Sequence, residues 1–182
     1  MSNIYNGPVR LVLFDVDGVL TDGSICVAED GERTKTFNVR DGLAVALLRA
    51  HGIGCGVLSG KASGALNFRI QQLGFDIAIT GRLDKLEAYL EIKRQQKLED
   101  SQIVFVGDDV IDLPLASIVE VFYAPSDAHL LVLAKADFVT KSCGGDGVAR
   151  EVAEHLLQST GLSLEQIYQP LMNKWNMHDA TQ

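Results

Sequence analysis

Leu11-Val12-Leu13-Phe14-Asp15-Val16-Asp17-Gly18-Val19-Leu20 is the stretch that decides the fold. An apolar run long enough for a buried strand ends abruptly on two aspartates separated by one residue. In an open α/β sheet, ligands sit beyond the carboxyl ends of the strands. Two acids placed there cost stability unless a cation, a proton or a substrate compensates them. Gly18 lets the backbone turn away closely. Asp and Gly also end strands and make turns without any chemistry, so the rest of the chain has to discriminate.

Outward from this segment, strand-like and helix-like stretches alternate, which predicts a parallel sheet with crossover helices. Val9–Phe14 reads as the first strand. Gly23–Val27 and Thr34–Asn38 flank Glu29-Asp30-Gly31, a hairpin signal. Leu43, Ala46, Leu47 and Ala50 recur at helical spacing until Gly52, and Ile53–Leu58 is a buried strand ending at Ser59. A helix through Leu66, Ile70 and Leu73 closes at Gly74, and Phe75–Ile79 is the next strand. Asp84 caps a helix to about Gln96, with Glu87 placed for a capping box. Ile103–Val106 ends at Gly107-Asp108-Asp109, and a short helix Asp112–Ile118 leads to strand Val121–Tyr123. Ser126 is expected to cap a helix Asp127–Ala134. Phe138–Thr140 reads as an edge strand, and the loop Cys143–Gly147 precedes a helix Val148–Leu157. The tail, about residues 161–182, is expected to hold a helical turn or two, interrupted at Pro170, with a flexible end.

With 182 residues, 47% of them hydrophobic, the chain reads as one domain over residues 1–182 that buries roughly 70% of its unfolded surface. A net charge of −8 without a long basic run excludes nucleic acid as a partner. No apolar run is long enough for a membrane span, and Met1–Pro8 lacks the apolar core of a signal peptide. Three scattered cysteines, Cys26, Cys55 and Cys143, make neither a disulfide framework nor a zinc site. A cytoplasmic location is expected. His51, His129, His155 and His178 share no metal-like spacing. Gly144–Gly147 is read as a structural turn away from the acidic motifs, and Arg150 as a structural ion-pair partner or a contact to a neighbouring subunit.

The predicted strands end on Asp15/Asp17, on Ser59 and on Asp108/Asp109, and Lys85 opens the helix after a further strand. A parallel sheet gathers these ends at one edge. In order along the chain, Asp15-Val16-Asp17-Gly18, Ser59-Gly60, Lys85, and Gly107-Asp108-Asp109 with Asp112 resemble the four motifs of the haloacid dehalogenase (HAD) superfamily in its phosphatase form. The resemblance implies a Rossmann-like α/β fold. It also implies an Asp15 nucleophile that becomes transiently phosphorylated, with Asp17 as the acid/base. Ser59 and Lys85 would hold phosphate oxygens. Mg²⁺ would be held by the Asp15 carboxylate, the Asp17 carbonyl and Asp108. Asp109 and Asp112 belong to the surroundings of that site, and Asp112 reads equally as a helix cap.

Within the superfamily, six strings narrow the match over about Val9 to Leu157: Asp15–Gly23, Phe37–Gly42, Gly81–Lys85, Gly107–Pro114, Ala128-His129 and Gly144–Glu151. They resemble the 3-deoxy-D-manno-octulosonate 8-phosphate (Kdo 8-phosphate) phosphatases of lipopolysaccharide sugar biosynthesis, which use Mg²⁺, lack a large cap and form tetramers. The resemblance implies sugar contacts at Asn38, Val39, Arg40, Asp41, Gly42, Lys61 and Arg69, although Asp22 and Asp41 also read as turn and capping residues. Two departures stand out. Ser59-Gly60-Lys61 replaces the usual Thr-Gly-Arg, losing a bidentate fork, and Ile111 stands where a polar residue is common.

The missing cap is legible from lengths alone. Between Asp15 and Ser59 lie 43 residues, consumed by a hairpin flap, about residues 23–38, one helix and one strand, and between Ser59 and Lys85 lie 25, consumed by one helix and one strand. An open site of this kind needs a cover, and a homotetramer with a tail reaching a neighbour would supply one. Two alternatives accompany this reading: a phosphatase for a nine-carbon 2-keto sugar acid 9-phosphate, and a non-catalytic HAD-like scaffold. Intact Asp15, Asp17, Lys85 and Asp108 speak against the scaffold, because clustered like charges are costly without use.

Overall fold

The computed structural model describes residues 9–29 and 31–179. Six parallel strands form one sheet: β1 (Leu11–Phe14), β4 (Gly54–Ser59), β5 (Ile77–Thr80), β6 (Ile103–Val106), β7 (Val121–Ala124) and β8 (Phe138–Val139). Their spatial order is β5-β4-β1-β6-β7-β8. Two short antiparallel strands, β2 (Cys26–Ala28) and β3 (Gly31–Thr34), make the separate flap. Asp30, the middle of the hairpin signal, lies outside the described residues. The flap strands are shorter than expected and sit nearer the turn, because Lys35–Asn38 pair with no strand among the described residues and lead into the next helix.

Among the described residues, seven α-helices cover the sheet: α1 (Val39–Ala50), α2 (Gly64–Leu73), α3 (Lys85–Gln96), α4 (Leu113–Ala116), α5 (Leu130–Leu133), α6 (Val148–Gln158) and α7 (Leu164–Asp179). Alternation along β1 builds two cores. Val12 and Phe14 face a cluster with Ala44, Leu48, Leu66, Val152 and Leu171 from α1, α2, α6 and α7. Leu11 and Leu13 face Ala88, Tyr89, Leu115 and Val132 from α3, α4 and α5. A sheet buried on both faces explains why its strands are continuously apolar rather than alternating. Among the described residues no helix is long and apolar enough to cross a membrane.

Three expectations are corrected. The helix placed at Asp127–Ala134 is only Leu130–Leu133, capped by the His129 ring, which accepts from the Leu131 amide at 3.2 Å. Ser126 instead donates to the Lys141 carbonyl at 3.2 Å. The tail is one continuous helix through Pro170. Proline inside a helix costs about 3 kcal/mol. Burial of Ile167 and Leu171 on either side of it offsets that cost, and the His51 ring Nε2 bonds the Ile167 carbonyl at 2.8 Å. Finally, the glycine loop before α6 is not remote from the acidic motifs. The Gly145 amide donates to the Val19 carbonyl at 3.0 Å, and a Cβ on Gly144 would lie 2.1 Å from the Gly18 carbonyl oxygen.

Candidate active site

Chain direction across the sheet reverses beside β1: β4 and β5 lie on one side of it, β6 to β8 on the other. Such a switch point opens a crevice at the carboxyl ends of the strands. Asp15 follows β1, Asp108 follows β6 and Ser59 ends β4, so the predicted residues meet there. The Asp15 amide donates to Val106 at 2.9 Å, and its Oδ1 accepts from the Val16 amide at 2.7 Å. The positioning of Lys85 begins at Asp84, whose carboxylate accepts from the Glu87 amide at 3.0 Å and starts α3. The expected capping box is half formed, since the Glu87 carboxylate pairs with Arg94 at 3.1 Å.

The Lys85 ammonium, wholly buried, lies 2.7 Å from Asp15 Oδ2 and also pairs with Asp112 Oδ1. Asp112 Oδ2 accepts from the Asp108 and Asp109 amides at 3.0 and 3.3 Å. Asp112 therefore shapes the loop and anchors the lysine at once; although it stands at the start of α4, its side chain makes no capping hydrogen bond to that helix, so the expected cap does not form. Asp109 is exposed, and its carboxylate caps the turn Val110–Asp112 by accepting from Val110 at 2.7 Å. Two glycines admit this crowding. A Cβ on Gly18, whose φ is +90°, would lie 2.0 Å from Asp108 Oδ2, and one on Gly107 would lie 2.6 Å from the Asp112 carboxylate carbon.

Asp15, Asp108 and Asp112 bring carboxylate oxygens within 4.8 Å of one another, against the single ammonium of Lys85. Burial pushes the Asp15 carboxyl up to about 6, opposed by Lys85. Burial, then the charges of Asp15 and Asp112, push Asp108 up to about 8. For Lys85, burial alone would lower the pKa, and the two flanking carboxylates outweigh it and raise it. Negative charge is in excess at the bottom of this crevice.

At its mouth, Asp17 Oδ1 pairs with the ammonium of Lys35, which follows β3 directly. Thr21 Oγ1 lies 3.4 Å from the same oxygen. Ser59 is fully buried, its Oγ accepting from the Lys61 amide at 3.2 Å, while the Lys61 side chain is exposed.

The chain as a whole is similar to known proteins. The family profile described as haloacid dehalogenase-like hydrolase matches residues 61–152. The 3-deoxy-D-manno-octulosonate 8-phosphate phosphatase of Yersinia pestis is 38% identical over 163 residues, covering 86% of this chain and 87% of the relative. The chain belongs to the Kdo 8-phosphate phosphatase family of HAD-like hydrolases. The cobalt-bound structure of the family's Haemophilus influenzae enzyme superimposes with a TM-score of 0.81 at 37% identity, covering 84% of this chain and 90% of that one. The Moraxella catarrhalis family enzyme, solved with magnesium, phosphate and Kdo, gives 0.80 at 32% identity, covering 83% and 87%.

A divalent ion of the kind those two relatives hold fits the residues present here. Asp108 Oδ1 is buried with no hydrogen-bond partner, and the surrounding donors are all carboxylate oxygens, which suit a hard cation. Asp112 is already committed to Lys85 and two amides and Asp15 to Lys85 and one amide, so Asp108 offers the one unpartnered buried carboxylate oxygen of the three.

The sugar contacts that family resemblance implied divide in two. Asn38 is occupied structurally: its Oδ1 accepts from the Arg40 amide at 3.0 Å, capping α1, and its Nδ2 donates to the Gly145 carbonyl at 3.2 Å. Asp41 is buried, and its Oδ1 accepts from the Ala149 amide at 3.1 Å. It thereby caps α6, whose own cap residue, Gly147, has no side chain to offer. Burial pushes its carboxyl up to about 6, opposed by those amides. Gly42 packs against Leu73, where a Cβ would lie 3.0 Å away. Val39, Arg40 and Lys61 are exposed, with Arg40 3.6 Å from Asp146. Arg69 donates to the Asn38 carbonyl at 3.0 Å and lines a cleft of about 410 Å³ with Lys35, Phe37, Val39, Phe68 and Gln72. Sequence reasoning missed Lys35, since a lysine in a polar flap carries no periodic or spacing signal.

Proposed function

We propose that this chain hydrolyses Kdo 8-phosphate to Kdo and phosphate, the phosphatase step that supplies a lipopolysaccharide sugar. The observation that carries the proposal is the convergence of Asp15, Asp17, Ser59, Lys85 and Asp108 at neighbouring strand ends, in a chain so similar to the Yersinia pestis enzyme. Asp15 attacks phosphorus in line, its carboxylate held by Lys85 and the Val16 amide. Asp17 gives its proton to the departing sugar oxygen. It then takes one from the water that breaks the aspartyl-phosphate. Ser59 and Lys85 hold the equatorial oxygens. Mg²⁺, held by Asp15, the Asp17 carbonyl and Asp108, would neutralise phosphate charge. The cleft bounded by Arg69, Phe37 and Phe68 is the place for the sugar, its volume within the usual range for small-molecule sites.

A panel of phosphorylated sugars assayed for phosphate release with Mg²⁺ and with EDTA tests this. Kdo 8-phosphate should be turned over with the highest kcat/KM, and EDTA should abolish release. A nine-carbon 2-keto acid 9-phosphate outcompeting it would overturn the substrate and keep the mechanism.

The assembly follows from the flap. Ile25 and Val27 are 47% and 71% exposed on a two-stranded hairpin, a unit marginally stable alone. A homotetramer that packs these hairpins together would cover them and the open site. Light scattering should give four times 19.7 kDa, and an active monomer would refute the assembly.

A further inference from the structure

Lys35 is the first residue after the flap strand β3, yet it reaches into the catalytic crevice. Its side chain is only 1% exposed, while that of Asp17, its partner, is 23% exposed. The remaining restraint on the Asp17 carboxylate is the long 3.4 Å contact from Thr21 Oγ1 to the same oxygen, Oδ1. Among the described residues Oδ2 accepts no hydrogen bond. One oxygen is thus anchored by a cation from the flap, and the other is left for a reacting proton. Lys35 also lines the cleft shared with Phe37 and Arg69, so the ion pair stands where that cleft meets the acidic crevice.

We propose that Lys35 is a positioning residue for the phosphatase reaction: it holds the Asp17 carboxylate in the orientation for proton transfer and makes the flap a working part of the site. This rests on the reading of Asp17 as the acid/base. In the first step a bond forms between an Asp15 oxygen and phosphorus while the bond from phosphorus to the leaving oxygen breaks. Asp17 Oδ2 gives its proton to that oxygen. In the second step water oxygen bonds phosphorus, the Asp15–phosphorus bond breaks, and a water proton returns to Asp17. Lys35 keeps its own protons throughout. A carboxylate must lie within hydrogen-bond reach of the oxygen it serves. A charge-assisted bond to one oxygen fixes the plane of the other, and a misplacement of about 1 Å is enough to cost roughly 10²-fold in rate.

The test exploits leaving groups. A p-nitrophenolate departs without protonation, whereas phenol and sugar alkoxides need the acid. In Lys35→Met, kcat/KM for phenyl phosphate and for Kdo 8-phosphate should fall at least about tenfold further than for p-nitrophenyl phosphate. A pre-steady-state burst of p-nitrophenolate should appear, because breakdown of the aspartyl-phosphate still needs Asp17. Lys35→Arg should restore most of the leaving-group ratio. The same loss for every leaving group, or a rise in KM alone, would overturn the proposal and make Lys35 a structural or phosphate-binding residue. If Lys35→Met does not fold, Lys35→Gln, which keeps a donor without the charge, takes its place: a leaving-group-dependent loss supports the positioning role and a flat profile overturns it. A wild-type chain that releases phosphate from no monoester would overturn the phosphatase reading and this proposal together. Active wild type with a flat profile in the Met or Gln variant overturns this proposal alone.

Discussion

The ammonium of Lys85 is shared between the carboxylates of Asp15 and Asp112 and has no access to solvent. On the proposed mechanism, phosphate-oxygen binding and nucleophile orientation, together with loop anchoring, depend on one cation. Removing one partner of a buried pair costs about 3–5 kcal/mol, and loss of a donor to a developing oxyanion costs about 10²–10³ in kcat. Lys85→Met should show both losses. Calorimetry should find a lowered thermal midpoint that Mg²⁺ partly restores, because the ion takes over part of the neutralisation of the buried carboxylates. A midpoint equal to wild type would mean that the Asp15 and Asp112 charges are balanced elsewhere.

Asp15→Asn separates chemistry from folding. The amide keeps an oxygen for the Val16 amide but cannot attack phosphorus. Phosphate release should drop to background while the chain stays folded, because Lys85 keeps its second carboxylate partner, Asp112. Turnover near the wild-type rate would remove Asp15 as nucleophile.

These two residues were legible in the sequence because each ends or opens a regular element. Asp15 closes a run of buried apolar residues and Lys85 follows a capping aspartate, so local pattern locates both. The same logic brought Ser59 and Asp108 to the sheet edge. Where two distant segments meet through side chains, local pattern gives nothing. Lys35 reaches Asp17 across the flap, Asp41 caps a helix that begins more than a hundred residues later, and Gly144 presses on Gly18. The tail shows a different cause: Pro170 breaks helices by local preference, and burial of Ile167 and Leu171 overrides it.

Gly144 gives a sharp test of that third contact. Its missing side chain lets the loop before α6 lie against the Gly18 carbonyl, where a Cβ would come within 2.1 Å of the oxygen. The oxygen belongs to the backbone and a Cβ is fixed directly to it, so neither can swing aside. Gly144→Ala should destabilise by about 1–3 kcal/mol as an overpacked contact. It should also lower kcat through displacement of the Gly18 turn, far from any substrate contact of its own. An unchanged kcat together with an unchanged thermal midpoint would show that the two loops are not coupled.

Asp41 predicts a pH effect of defined sign. Burial pushes its folded-state pKa up to about 6 from the ordinary 3.8. Between those values the folded chain holds a proton that the unfolded chain has released, so stability falls as pH rises through this window. Below about pH 4 the contribution is fully present; above pH 6 it is gone. The whole effect amounts to about 3 kcal/mol from the 1.36 kcal/mol per pKa unit. Asp41→Asn still accepts from the Ala149 amide and cannot ionise. The difference in thermal midpoint, wild type minus variant, should therefore decline between pH 4 and pH 6 and level off beyond. A difference that stays constant across the window would place the Asp41 pKa in the normal range.

Arg69 is the cleft's candidate partner for a sugar carboxylate. Its guanidinium already donates to the Asn38 carbonyl and to Gln72, and it stacks 5.7 Å from the Phe37 ring centre. Its Nε is buried without a partner, so one donor of the fork remains unsatisfied within the chain. A hydrogen bond to a charged group contributes about 1.5–3 kcal/mol, which converts to roughly 10- to 100-fold in affinity. Arg69→Ala should accordingly raise KM for Kdo 8-phosphate by about that factor, and for p-nitrophenyl phosphate, which has no carboxylate, by less than about threefold. Arg69→Lys should recover only part of the loss, because an ammonium keeps the charge without the planar fork. Equal changes for both substrates would reduce Arg69 to a strut holding Asn38 at the start of α1, and Arg40, exposed nearby beside Asp146, would become the residue to replace next.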